Sequence, residues 1–326
     1  MASTTVITPQ QKLPNKAKET AVGFVIGGLA ACGAVTFTNP VEAMKTRLQL
    51  QGELVRAGTL SSASRPYRNS FQALQVVFKH EGVRGLQRGL GVAYIYQVCL
   101  NGCRLGLYEP VHQGLVHTFG LKSSHSLLGA GVVAGGVAGM LGALLGSPLY
   151  LIKTRQQSYS PVFSQIGHQH QIKSGASALA QIYRSEGVRG LYRGASAAMA
   201  RAGAGSAVQM PSYMFGKELM LTKVGLPDTI STHFITSMFT GFLTCIVMNP
   251  FDVVSTRMYN QGVDPVTGQG LLYKSPVDCL VKMTHTEGVR GLYKGFVAHF
   301  LRIGPHTTLM FVFMEQLKAL YGRHFN

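Results

Sequence analysis

The hexapeptide EGVRGL occurs three times, beginning at Glu81, Glu186 and Glu287, with spacings of 105 and 101 residues. Each copy sits in a wider block: VFKHEGVRGLQRG at 77–89, IYRSEGVRGLYRG at 182–194 and MTHTEGVRGLYKG at 283–295. A second block precedes each one: PVEAMKTRLQ from Pro40, PLYLIKTRQQ from Pro148 and PFDVVSTRMY from Pro250, with the prolines 108 and 102 residues apart. Two motifs repeated three times in register define tandem units of about 100 residues, each expected to fold into the same supersecondary unit. We place an N-terminal tail at 1–18 and the repeats at 19–118, 119–224 and 225–322.

Each repeat opens on a stretch suited to a membrane. There are 22 uncharged residues between Glu19 and Glu42, 30 between Lys122 and Lys153, and 23 between Asp228 and Asp252. A spanning helix needs about 20 mostly apolar residues. Gly23 and Gly27 in the first stretch, and Gly131, Gly135, Gly139 and Gly142 in the second, have the spacing that lets helices pack closely in lipid. Three weaker apolar segments, near 90–108, 194–216 and 295–314, hold Arg104, Arg201 and Arg302. Strong and weak segments alternate, which predicts six spanning helices. Composition agrees: 46% of residues are hydrophobic and 13% charged, against about 25% charged in a soluble domain.

The formal charge of +17 is distributed unevenly. The long loops within the repeats hold 19 basic and 6 acidic residues, whereas the termini and inter-repeat connections hold 8 and 5. This asymmetry fixes an orientation in the sense of the positive-inside rule. It also accounts for most of the basic charge without nucleic acid as a partner, and no nucleic-acid-binding motif is present. Chain-wide apolarity excludes disorder. Five scattered cysteines exclude a disulfide scaffold and read as thiols, Cys99 and Cys103 among them. Residues 1–18 carry Lys12, Lys16 and Lys18 but no Arg and no apolar core, so we expect internal targeting rather than a cleaved signal. The sequence offers no nucleophile–base set, nucleotide glycine pattern or metal cluster, which argues against an enzyme and against a bound cofactor. His168 and His170 lie in a polar loop and read as solvated.

The proline block followed by EG-x-x-x-x-(aromatic)-(basic)-Gly, three times over, resembles the mitochondrial carrier family. The resemblance covers about residues 20–320. It implies an all-α membrane protein with six tilted transmembrane helices in three pseudo-threefold repeats. A short matrix helix is expected in each long loop. The chain would be a multi-pass protein of the mitochondrial inner membrane working by alternating access, with the long loops facing the matrix. The segments AYIYQVCLNGCRLGLYEP (93–110), RAGAGSAVQMP (201–211), MYNQ (258–261), PHTTLMFVFMEQ (305–316) and QSYS (157–160) resemble the fungal oxaloacetate branch of that family. The implied cargo is oxaloacetate and related dianions: sulfate, thiosulfate, malonate and isopropylmalate-like dicarboxylates. The resemblance further implies contact with membrane lipid, with cardiolipin at the matrix-side helices. One chain encloses the site, so a monomer suffices.

Pro40, Pro148 and Pro250 lack a backbone donor and should kink their helices. By resemblance, the residues at +2 and +5 form a matrix gate of inter-repeat pairs: Glu42 with Lys153, Tyr150 with Ser255, and Asp252 with Lys45. Gln49 and Gln157 resemble the residues that brace such pairs, whereas Tyr259 departs from the pattern. Tyr150 and Ser255 both depart within one pair, so a hydroxyl–hydroxyl hydrogen bond is expected there, and with it a weaker gate. A cytoplasmic gate is implied on the second helices, pairing Glu109 with Lys217, Met214 with Lys318, and Glu315 with His112. Protonation of His112 would strengthen it.

Arg104, Arg201 and Arg302 are the basic residues of the helix interiors, and such residues face a cavity or a partner. An anion is the natural partner, because the guanidinium fork matches carboxylate or sulfate. Arg201 and Arg302 each stand seven residues after the motif glycine, where repeat 1 has Tyr96. Gln97, Asn101 and Arg104 form one polar stripe, with Arg104 about 12 Å from Tyr96 along the helix, as a relay on the way in. We expect Tyr96, Gln97, Arg104, Arg201 and Arg302 to bind a small dianion. Ala202 beside Arg201 offers no adenine pocket. Exchange and proton-coupled transport both stay open. So do another anion or an uncoupling-type activity on the same fold, and a non-transporting membrane scaffold.

Overall fold

The computed structural model describes residues 16–55, 66–121, 123–163, 166–172, 174–227, 229–264 and 267–325. Each repeat contributes a long first helix, a helix beside its long loop, and a long second helix. Repeat 1 gives α1 (Lys16–Leu50), α2 (Ser70–Leu86) and α3 (Leu90–Phe119). Repeat 2 gives α4 (Ser124–Leu145), α5 (Ser147–Ser158), α6 (Gly175–Leu191) and α7 (Ala195–Glu218), which runs into a π-helical turn, Leu219–Lys223. Repeat 3 gives α8 (Ile230–Asn260), α9 (Pro276–Glu287), α10 (Val289–Leu292) and α11 (Phe296–Phe325). The fold is all-α; the described residues add two isolated β-bridges and no strand.

Hydropathy and length identify Val22–Leu50, Ser126–Leu145 and Thr232–Asn260 as able to cross a membrane. The partner helices α3, α7 and α11 have 30, 24 and 30 residues, which at about 1.5 Å per residue is long enough to span. Packing follows a closed ring in the order α1, α3, α4, α7, α8, α11, with α11 returning to α1. Val25, Leu29, Phe37, Val133, Leu145, Phe234 and Phe242 are exposed on its outside. Apolar side chains in such positions are costly in water and suited to lipid tails.

Glycines allow the close contacts, but not always the expected ones. A Cβ at Gly23 or Gly27 would meet nothing within 4 Å, so this pair is no helix–helix contact. Gly33 takes that role on α1: a Cβ there would stand 2.9 Å from the Phe313 ring of α11. Gly139 and Gly142 on α4 do face neighbours, whereas Gly135 does not.

The first helices of repeats 1 and 3 run through Pro40 and Pro250 without interruption, but repeat 2 breaks at Gly146, two residues before Pro148. A neighbour packs against the break. A Cβ at Gly146 would sit 2.9 Å from the Tyr96 ring. The residue before the proline also differs. Asn39 donates to the Leu86 and Arg88 carbonyls and Asn249 to the Leu292 carbonyl, tying each first helix to its loop-side helix. Ser147 instead bonds the Tyr259 hydroxyl at 2.9 Å.

The EGVRGL motif is a joint. Gly82, Gly187 and Gly288 have φ of 66°, 65° and 69°, and the closing glycines Gly89, Gly194 and Gly295 have φ of 76°, 84° and 73°. Left-handed backbone of this kind favours glycine. The closing glycines also seat the start of each second helix on the next repeat, beside Lys153, Met258 and Lys45 in turn. The motif glutamate locks the joint. Glu81 takes a bidentate hydrogen bond from Arg47 at 2.6 and 2.9 Å, and Glu287 one from Arg257 at 2.5 and 2.9 Å. In repeat 2 the Arg155–Glu186 contact lengthens to 3.9 Å. Burial alone would raise the Glu287 carboxyl, but hydrogen bonds and charge from Arg257 and Lys294 outweigh it and hold it below the usual range; Arg47 does the same for Glu81.

A candidate anion site above a closed gate

At the proline level the first helices converge. Lys153 Nζ lies 2.8 Å from Glu42 Oε1, and Lys45 Nζ lies 2.6 Å from Asp252 Oδ2. All four residues are buried. Each pair joins two repeats, so neither can be kept while the first helices separate. Gln49 Nε2 donates to Asp252 Oδ2 at 2.7 Å, and its carbonyl accepts from Thr256 at 2.8 Å. Gln157 braces differently, donating to Asn39 Oδ1 at 3.0 Å and accepting from Thr46 at 3.2 Å.

The third position does not form the expected hydroxyl pair. Ser255 Oγ is buried without a hydrogen-bond partner. The reason is the packing of Tyr150, whose ring lies between Tyr96 and Tyr259 with centroids at 5.3 and 5.2 Å. This aromatic column joins all three repeats. The Arg201 guanidinium stands 5.3 Å from the Tyr150 centroid, and Lys153 Nζ stands 5.5 Å from that of Tyr96. Cation–π attraction thus occupies the place of the missing ion pair.

The expected anion-binding residues lie just above. Arg201 Nε is 4.0 Å from Asp252 Oδ1, the oxygen of that carboxylate which accepts no hydrogen bond. Arg201 Nε and Arg302 Nε are both buried without a hydrogen-bond partner. Unsatisfied guanidinium donors inside a protein are costly, and an oxyanion would satisfy them. Gln97 reaches across to His306 on α11, with Nε2 atoms 3.3 Å apart. The side chain of Arg104 lies outside the described residues. Above this level a cavity of about 510 Å³ opens toward the terminal side, lined by Asn101, Tyr108, Glu109, Ser206, Gln209 and Met310.

A family model described as "Mitochondrial carrier protein" matches the chain at residues 16–119, 124–224 and 227–325. The chain belongs to the mitochondrial carrier family. It is a membrane transporter rather than an enzyme, and a multi-pass protein of the mitochondrial inner membrane. Curated relatives cover nearly all of it. A mitochondrial citrate transporter E of Aspergillus niger is 47% identical over 93% of this chain and 94% of its own length. The mitochondrial oxaloacetate transport protein of Saccharomyces cerevisiae is 47% identical over 92% and 90%. A 2-oxoglutarate/malate carrier protein of Bos taurus is 36% identical over 94% and 92%.

On the terminal side of the carrier, Glu109 of the second expected gate lines the cavity. Glu109 accepts from Gln113 of its own helix at 2.8 Å, and His112 stacks on Tyr108 at 5.8 Å. Met214, Glu315 and Lys318 are exposed and Lys217 is half-buried. Among the described residues, two inter-repeat ion pairs close the loop side, and the cavity lies on the other.

His168 and His170 are not simply solvated. They pack against each other at 4.5 Å, and His170 Nε2 lies 2.9 Å from the Asn260 carbonyl. Burial and then the Arg155 charge push the His170 imidazole down to about 3, so it is neutral. Sequence reasoning also missed Thr38 and His306, which join α1 and α11 at 3.2 Å. Their signal was weak, a threonine and a histidine with no counterpart in the motif.

Proposed function

We propose that this carrier moves oxaloacetate and related small dianions, including sulfate, thiosulfate, malonate and isopropylmalate-like dicarboxylates, by alternating access. The observation that carries the reading is the pair of buried Nε donors of Arg201 and Arg302 that lack a hydrogen-bond partner. They stand at equivalent positions of repeats 2 and 3, with Tyr96 at the third. Two guanidiniums match two negative charges, and the flanking Lys–carboxylate pairs are already neutral within themselves. The relative named for oxaloacetate transport supports the same cargo.

Glu42–Lys153, Lys45–Asp252 and the tyrosine column act as the matrix gate, and Glu109, His112, Lys217, Glu315 and Lys318 as the cytoplasmic one. An anion drawing on Arg201 loosens its hold on Asp252 and Tyr150, so binding weakens the gate it rests on. The groove beside Gly89 and Gly175, where α3 and α6 begin, is our place for an anionic lipid such as cardiolipin. One chain suffices for transport.

Citrate is a second reading, favoured by the equally similar citrate transporter. A trianion calls for a third cation, and repeat 1 offers Tyr96 instead of Arg. The test is uptake into liposomes carrying the purified protein, with oxaloacetate, sulfate, malonate and citrate compared. Oxaloacetate and sulfate uptake above citrate supports the dianion reading. Citrate alone overturns it.

A further inference from the structure

His306 follows Pro305 on α11, one turn beyond Arg302. Its imidazole bridges three helices. Nδ1 lies 3.2 Å from Thr38 Oγ1 on α1, and Nε2 lies 3.3 Å from Gln97 Nε2 on α3. Thr38 gives its own hydrogen to the Ala34 carbonyl at 3.0 Å, so toward His306 it accepts. Nδ1 therefore carries the ring hydrogen. The Gln97 amide nitrogen can only donate, so Nε2 is bare and accepts. Both ring nitrogens are used, and the ring is neutral in one tautomer. The charged groups whose fields reach it are Arg302 on α11, Glu42 on α1 and Lys153 on α5; α3 offers the uncharged Gln97, and α8 adds no charged group to that set.

We propose that His306 is a further residue of the substrate site: it takes up a proton when a dianion settles beside Arg302, and the Gln97 amide turns over to accept that proton. The inference rests on the dianion reading given above. Two negative charges placed near a neutral imidazole favour its charged form. The proton comes from water in the open cavity and binds Nε2, while Nδ1–H keeps its bond to Thr38. The Gln97 NH2 would then face an N–H. Turning the amide half-way round puts Oε1 there instead, with no movement of the backbone. Linkage makes the effect reciprocal: if the dianion raises the proton affinity of His306, the proton raises the affinity for the dianion by the same factor. His306 thereby favours dianions over monoanions of the same shape.

Sulfate is the probe for uptake, because it stays doubly charged throughout the working range and any pH effect belongs to the protein. For the wild type in liposomes, KM for sulfate is expected to fall roughly tenfold between about pH 8 and about pH 6. His306→Gln should transport with a KM that does not change with pH. Gln97→Leu keeps the imidazole but removes the carbonyl that must accept, and should lose most of the pH dependence. A wild-type KM flat with pH, or a His306→Gln variant that keeps the wild-type slope, overturns the proposal.

A second arm needs no substrate. In detergent, acidification over the same range should lower the thermal midpoint of the wild type more than that of His306→Gln, because a protonated ring faces Arg302 and a donor amide. Equal acid sensitivity of the two proteins overturns the proposal whatever the cargo. Absence of sulfate and oxaloacetate uptake by wild type, with the thermal difference present, instead rejects the dianion reading and leaves His306 as a proton-binding residue of the site.

Discussion

Asp252 is the busiest residue of the closed gate. It pairs with Lys45, accepts from Gln49 and faces Arg201. Removing one member of a buried ion pair costs about 3–5 kcal/mol, because the other charge is left uncompensated. Asp252→Asn should lower the thermal midpoint in detergent accordingly. Ser255 is its opposite: it stands at the +5 position of the same proline motif, where the other repeats have Lys45 and Lys153, and it has no hydrogen-bond partner. Ser255→Ala should change stability by less than about 1 kcal/mol, since no bond is lost and an unsatisfied hydroxyl is removed. Equal losses in the two variants would contradict this ranking. The register of both residues was legible in the sequence because the proline motif repeats. The behaviour of Ser255 was not, because it depends on where the Tyr150 ring packs.

At the scale of elements, the break between α4 and α5 shows how one repeat departs from the other two. Gly146 exists at the contact with Tyr96. Gly146→Val should force that ring aside and destabilise the carrier by about 1–3 kcal/mol, read as a lower thermal midpoint. The same change at Gly27, which faces open space, should do far less. Periodicity and hydropathy showed which helices exist. They could not show which glycines touch a neighbour, since that depends on helix rotation in the ring.

The EG joints make a pH prediction. The Glu287 carboxyl is held below its usual range by Arg257 and Lys294. A depressed folded value contributes stability that is present above the unfolded value and lost as pH falls through the folded one. Acidification below about pH 4.3 should therefore destabilise the wild type. Glu287→Gln should be less stable at neutral pH, and the gap should narrow as pH falls. A gap that stays constant would contradict the role given to this lock.

At the scale of the whole molecule, repetition supplies a frame and departures from it supply the function. Six spans, their ring and the loop-side helices follow from motifs present three times. The anion site follows from arginines present in two repeats and replaced by Tyr96 in the third. What sequence could not reveal lay in side chains that belong to no motif. Thr38 and His306 come from opposite ends of the chain and meet only because α11 closes the ring on α1. Gln97 was legible as part of a polar stripe, but its partner was not.

The central claim is that Arg201 and Arg302 hold a dianion above the closed gate. Its most direct test is uptake of labelled oxaloacetate and sulfate by liposomes carrying wild-type protein, Arg201→Ala or Arg302→Ala, each checked for folding by thermal unfolding. The account predicts uptake of both anions by the wild type and a loss of at least about a hundredfold in either variant, since a buried charged hydrogen-bond partner is worth about 3 kcal/mol. Undiminished uptake by folded Arg201→Ala and Arg302→Ala would contradict it.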